Sequence, residues 1–184
     1  LGLSGSLRAG SLNTALLRAA SDLMPGGSTL GIGSIAGIPL YDGDIEARAG
    51  IPAAVAALKD AIADADGLLV ATPEYNNSIP GVLKNAVDWL SRPAADIARV
   101  FGGRPVALIG ASPGGFGTIL GQDAWLPVLR TLGAQLWSGD RLLVSRAREL
   151  FEDGALRDEA TRQRLARFLE GFVAFARGAG TRGG

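Results

Sequence analysis

The sequence predicts an α/β fold, a doubly wound five-stranded parallel sheet with helices on both faces. Three observations predict it. Short apolar runs alternate along the chain with stretches whose apolar residues recur at helical spacing. Two of the runs, Leu68 to Ala71 and Pro105 to Gly110, are continuously apolar, as expected of central parallel strands covered on both faces. Three unusual loops, Ser4 to Ser11, Thr72 to Pro80 and Ala111 to Gly117, each follow such a run. In a parallel sheet they gather on one edge, where ligands bind at the reversal of strand order.

Leu1 to Leu3 read as the end of a first strand. Leu12, Ala15, Leu16, Ala19, Ala20 and Leu23 mark a helix over residues 11–23, with Ser11 or Asn13 as its cap and Pro25-Gly26-Gly27 as its stop. Ser28 to Ile35 is a second strand, weakened by two glycines. Residues 38–50 read as a long loop containing Pro39-Leu40-Tyr41-Asp42. Pro52 opens a helix carrying Val55, Leu58, Ile62 and Ala65, and Asp66-Gly67 ends it. After the third strand, Gly81 to Leu90 is helical, and 94–104 is a polar, glycine-rich crossing to the fourth. A helix is expected over 119–132, the last strand within 135–144 and a turn at Gly154-Ala155. Leu165, Phe168, Leu169, Phe172 and Val173 share one face of a closing helix over 161–177. Residues 1–177 read as a single domain and 178–184 as a disordered tail.

Composition narrows the chemistry. The 184 residues suit one domain. Lys+Arg and Asp+Glu balance at 18 each, so no basic surplus argues for nucleic acid or an anionic membrane. No apolar run reaches the roughly 18 residues of a membrane span. No signal peptide is visible, and a cytoplasmic location is expected. The chain opens inside a strand, so a natural N-terminus upstream of Leu1 is also expected and a leader there stays open. There is no Cys, hence no disulfide framework, thiolate nucleophile or Cys-ligated metal. There is no His, hence no Ser-His-Asp hydrolase, and no metal site is expected. Any enzyme built from this chain takes its reactive atoms from a cofactor or a bound substrate.

The first loop has the design of an anion cradle. Small residues let the backbone approach a ligand, a helix N-terminus follows, and Arg8 adds a fork suited to phosphate oxygens. Gly5 and Gly10 are spaced as in a triphosphate-binding loop, but Ser11 stands where its lysine belongs. The dinucleotide pattern G-x-G-x-x-G is absent. A single phosphate monoester fits better, with Ser4, Ser6, Arg8, Ser11 and Asn13 as its polar groups; the alternative is a plain Ser/Gly turn. In the second loop two prolines restrict the backbone, and Tyr75 supplies a wall for a flat ring or else packs on its own chain. Glu74 reads as a solvated or backbone-bonded carboxylate. Pro113-Gly114-Gly115-Phe116-Gly117 lets backbone approach the other edge of such a ring, or answers only to chain geometry. Arg141, Arg146 and Arg148 read as a surface or subunit-contact cluster.

Four motifs then carry a resemblance: GSLRAGSLN from Gly5, PLYDGD from Pro39, TPEYNNSIPGVLKNAVDWLSRP from Thr72, and GASPGGFGT from Gly110. Together, over residues 1–136, they resemble the NADPH-dependent FMN reductase family, a flavodoxin-like group of quinone, azo-dye and chromate reductases. The resemblance implies an FMN whose phosphate lies on Ser6, Arg8, Ser11 and Asn13. The flavin ring would rest against Pro73, Glu74, Tyr75 and Asn76, with Ser112, Pro113, Gly114 and Gly115 on the other side. The implied activity is transfer of a hydride from NADPH or NADH to FMN, then to a flavin, quinone, azo compound or similar small acceptor, with no catalytic side chain assigned. A homodimer or homotetramer is implied too. The alternatives are a flavin-binding electron carrier or redox-responsive protein without NAD(P)H turnover, and a phosphate-ligand protein without flavin.

Overall fold

The computed structural model describes residues 1–180. Five parallel positions form the sheet, in the order β2-β1-β3-β4-β5, with β1 at Gly2–Ser4, β2 at Ile32–Gly33, β3 at Leu68–Ala71, β4 at Pro105–Ala111 and β5 at Gln135–Leu136. β6, Leu142–Val144, also pairs with β4, so the fifth position is one edge strand in two pieces. The break follows Trp137. Its N–H still donates to the Val106 carbonyl (2.8 Å), while its ring packs edge-on against Phe168 at 4.6 Å between centroids.

Alternation along the strands explains the double winding. Leu68, Val70, Val106 and Leu108 belong to one buried layer; Leu69, Ala71, Ala107 and Ile109 belong to the other. The first layer is covered by α3 (Ala53–Ala63), α4 (Gly81–Leu90), α5 (Ile97–Val100) and α6 (Ile119–Thr131), through Val55, Leu83, Trp89, Phe101 and Trp125 among others. The second is covered by α1 (Leu12–Asp22) and α7 (Glu159–Gly180), through Leu16, Leu17, Leu165, Phe168 and Leu169. Each fully buried leucine contributes about 1.5–3 kcal/mol of burial free energy. This strand order is that of flavodoxin-like sheets, and it reverses between β1 and β3.

Several boundaries differ from expectation. The second strand is two residues, not eight. The expected loop over 38–50 contains α2 (Gly43–Ala49). Asp42 caps it by accepting from Asp44 N–H (2.8 Å), Asp44 and Glu46 face the positive end of its dipole, and Gly50 ends it at φ +73°. None of its residues is buried, so it lacks the apolar period that marks the other helices. The crossing at 94–104 holds a 3₁₀ turn (Ala94–Asp96) and α5. The turn near Gly154 is a hairpin of β7 (Phe151–Glu152) and β8 (Ala155–Leu156). α7 continues to Gly180, so Gly178 to Gly180 are helical rather than tail, and 181–184 lie outside the described residues.

Candidate active site

The loops after β1 and β3 leave the sheet at the reversal of strand order, and the loop after β4 lies beside them. Their tips are joined closely. Gly5 N–H donates to Ala71 O (2.9 Å), and a Cβ on Gly5 would sit 2.7 Å from the Pro73 ring, so this glycine is what lets the first two loops touch. Asn13, 4 % exposed, donates from its side-chain amide to Ala111 O (3.0 Å) and accepts from Ala111 N–H (2.9 Å). This pair ties the first turn of α1 to the tip of β4. Thr118 is buried at φ +70°, and its Oγ1 lies where a Cβ on Gly110 would stand, 1.8 Å away. Gly110 is therefore required by packing.

One cavity of about 200 Å³ opens among the three loops. Nine of the twelve residues assigned to a cofactor line it: Ser6, Arg8, Ser11 and Asn13 from the first loop, Pro73, Glu74 and Tyr75 from the second, Ser112 and Pro113 from the third. Ser11 caps α1, accepting from Thr14 N–H (3.2 Å). The Leu12 and Asn13 amides that follow it have no intrahelical carbonyl to meet, as at any helix start. Leu12 and Asn13 line the cavity, so a small positive field faces it from the helix as well as from Arg8.

Three assigned residues stand elsewhere. Asn76 and Asn77 both have positive φ (51° and 59°) between a mutually bonded Tyr75 and Ser78, N–H to O 3.1 Å each way. That is a two-residue turn of the kind asparagine favours. Asn76 is its apex, outside the cavity. Gly114 and Gly115 are exposed and do not line it either; nothing lies within 4 Å of a Cβ on Gly10, Gly114 or Gly115. Tyr75 lines the cavity and is 43 % exposed, so its own chain covers it only in part.

Glu74 is the backbone-bonded carboxylate that was expected: its Oε2 accepts from Gly121 N–H (2.9 Å) in the first turn of α6. Asn85 and Trp89 both donate to Pro39 O (2.9 and 2.8 Å), and Asn85 Oδ1 accepts from Tyr41 N–H (2.8 Å). The PLYDGD and KNAVDW motifs are thus two halves of one contact. In the same region Tyr41 donates to Glu46 (2.9 Å), and the hydrogen bond from Arg92 holds the Glu46 carboxyl below its ordinary range.

Arg148, read as part of a surface cluster, is exposed and also lines the cavity, a placement that no local pattern in the sequence marks. A larger cavity, about 610 Å³, lies at the opposite edge among Leu1, Leu30, Asp66, Gly67 and Phe172. It faces the N-terminal ends of the strands, away from the three loops.

A sheet of this order, with arginines and helix amides facing a cavity at its reversal point, defines the flavodoxin-like class of nucleotide-binding proteins. Residues 1–149 match the model of the NADPH-dependent FMN reductase family, and the chain belongs to that family. It is 42 % identical to an NAD(P)H-dependent FMN reductase of Pseudomonas aeruginosa, over 96 % of this chain and 94 % of that one. It is 39 % identical to a 2-hydroxy-1,4-benzoquinone reductase of a Burkholderia species, over 94 % and 93 %. Among solved structures it is similar to FerB, a flavoenzyme NAD(P)H:(acceptor) oxidoreductase of Paracoccus denitrificans, with TM-score 0.86, 35 % identity and coverage of 97 % and 96 %. No helix among the described residues is long and apolar enough to cross a membrane.

Proposed function

We propose that this protein is an FMN-dependent NAD(P)H:acceptor oxidoreductase that reduces a flavin, a quinone, an azo compound or a similar small molecule. The observation that carries this reading is the shared cavity. Three loops from separate strand ends bring Arg8, the opening amides of α1 and the Tyr75 wall to one place.

The donor set fits FMN. Ser6, Arg8, Ser11 and the first amides of α1 would hold its phosphate. Asn13 contributes there through its backbone, because its side chain is committed to Ala111. Pro73, Glu74, Tyr75 and Asn76 would border the ring on one side, and Ser112, Pro113, Gly114 and Gly115 on the other. Gly10 lines the cavity with open space where a Cβ would stand, which supports the phosphate end of this reading. When bound, FMN supplies the redox chemistry, taking reducing equivalents from the nicotinamide and delivering them to the acceptor. The chain supplies no imidazole or thiol, since its 184 residues hold neither His nor Cys. Its part would be to anchor the phosphate, wall the ring with Tyr75 and leave a face of it open to nicotinamide and acceptor in turn.

At about 200 Å³ the cavity is smaller than the roughly 300–1,000 Å³ of enclosed ligand pockets. Part of the cofactor would stand at the surface, on loops that also expose Tyr75 (43 %) and Phe116 (74 %). This supports a homodimer or homotetramer in which a second copy covers the ring; light scattering should then give two or four times 18.8 kDa. A cytoplasmic location belongs to the same reading, and cell fractionation tests it. One FMN-binding domain that includes α7 belongs to the same reading.

The deciding experiment mixes FMN-loaded protein with NADPH or NADH without oxygen. Rapid bleaching of the flavin absorbance supports the enzyme. Stable yellow colour favours an electron carrier, and a chain that fails to take up FMN favours a phosphate-ligand protein.

A further inference from the structure

We propose that Arg148 is a second cation for the FMN phosphate, delivered by the segment after β6 rather than by the phosphate loop. The proposal rests on the FMN reading above and names a residue outside the four-motif pattern.

The placement follows from backbone bonds. Ser112 N–H donates to Val144 O at the end of β6 (3.0 Å). The chain then turns at Arg146, which adopts φ +47° and donates its N–H to Gly114 O (2.9 Å). Ala147 N–H donates back to Ser112 O (3.0 Å), and Ala147 is fully buried. A 3₁₀ turn over Ala147–Glu149 starts there and turns Arg148 outward. Ala111, one residue before Ser112, is the partner of Asn13 in the first turn of α1. Two short links therefore connect Arg148 to the phosphate end of the site. It lines the same cavity as Arg8, Ser11 and Leu12.

Charge supports the assignment. A phosphate monoester carries about −1.5 to −2 near neutral pH. Arg8 alone leaves roughly one unit unmatched; Arg8 with Arg148 balances it. Glu74 is the carboxylate lining the cavity, and it is already bonded to Gly121 N–H. The Arg148 guanidinium makes no ion pair or hydrogen bond among the described residues, so binding an anion breaks nothing. The phosphate would then be held by two arginines 140 residues apart in the chain, one from the loop after β1 and one from the segment after β6.

The test strips flavin from the full chain and titrates it with FMN and with riboflavin, following flavin fluorescence. Wild type should bind FMN more tightly than riboflavin. Arg148→Ala should weaken FMN about ten- to a hundredfold, the loss expected for one charge-assisted hydrogen bond, and leave riboflavin affinity unchanged. Arg148→Lys should recover part of the loss, since it restores the charge without the fork. Equal FMN affinity in Arg148→Ala and wild type overturns the proposal. So does an equal loss for FMN and riboflavin, which marks a structural role, and so does a raised KM for NADPH with FMN affinity intact. If wild type itself takes up no FMN, the functional reading falls and this one with it; if wild type binds FMN and Arg148→Ala matches it, only this proposal falls.

Discussion

Asn13 and Ala111, 98 positions apart, bond each other twice: the Asn13 side chain donates to the Ala111 carbonyl at 3.0 Å and accepts its N–H at 2.9 Å. An asparagine in the first turn of a helix ordinarily serves its own backbone. Here it replaces the next residue of a sheet ladder, at the point where β4 gives way to a loop. Asn13→Asp keeps the acceptor, loses the donor and places a charge against a carbonyl. Leaving these buried groups unpaired should cost about 1–3 kcal/mol. Asn13→Asp should also lose more FMN affinity than Asn13→Ala, because it adds a negative charge to the lining of the cavity proposed for the phosphate. Urea unfolding and FMN titration read the two effects separately.

Arg8 lines the cavity from an exposed loop and makes no hydrogen bond to the turn that carries Tyr75. Arg8→Ala should weaken FMN binding far more than it slows flavin reduction in protein saturated with FMN. A titration showing unchanged FMN affinity would remove the role given to Arg8.

Glu74 has a structural explanation in its bond to Gly121 N–H. Glu74→Gln retains an acceptor for that N–H and should reduce flavin at the wild-type rate. Glu74→Ala should release the loop from α6, lowering the melting temperature and raising the KM for nicotinamide. General acid–base catalysis is worth about 10²–10⁴ in rate, so a loss of that size in Glu74→Gln would give the carboxylate a chemical part instead.

Two glycines of the same motif should behave in opposite ways. A Cβ on Gly110 meets Thr118 Oγ1 at 1.8 Å and Thr72 O at 2.6 Å, so Gly110→Ala should unfold or fail to accumulate. A Cβ on Gly115 meets nothing within 4 Å. Gly115→Ala should keep wild-type stability and, on the proposed reading that the third loop borders the ring, weaken FMN binding. Unchanged FMN affinity in that variant would free the third loop of its assigned role.

Lys59 is buried (2 % exposed) and donates to Asp96 at 2.9 Å and to the Arg92 carbonyl, joining α3 to the turn before α5. The Lys59 hydrogen bond holds the Asp96 carboxyl below the ordinary carboxylate range. A lowered folded-state pKa means stability that is fully present above the unfolded value, about 3.9, and lost as pH falls through the folded value. Stability should therefore be level near neutrality and fall below about pH 4. Asp96→Ala strands a buried ammonium, so it should destabilise more than Lys59→Met, which removes the charge. Thermal melts across acid pH check both the limb and the order.

The alternation of runs was legible because a buried parallel strand needs apolar side chains on both faces, and Leu68–Ala71 and the run from Pro105 carry them. Helices with a buried stripe were equally plain. α2 was not, because it fully buries no residue, only Ile45 packing partly on the core, and its signals were the Asp42 cap and the charges at its ends. The split of the last strand into β5 and β6 depends on where the Trp137 ring lies against α7, which strand propensity does not record.

For the site, sequence alone determined the three loops and the chemistry in each: an arginine and hydroxyls ahead of a helix start, a tyrosine beside prolines, a run of glycines. Those are local properties, written in consecutive residues. Tertiary structure decided which of them share a cavity. It turned Asn13 away to Ala111, put Asn76 at the apex of a turn, bonded Glu74 to α6 and brought Arg148 in from beyond β6. A cavity is made where strand ends meet, and that meeting is set by hydrogen bonds between residues about a hundred positions apart, which no window of sequence contains.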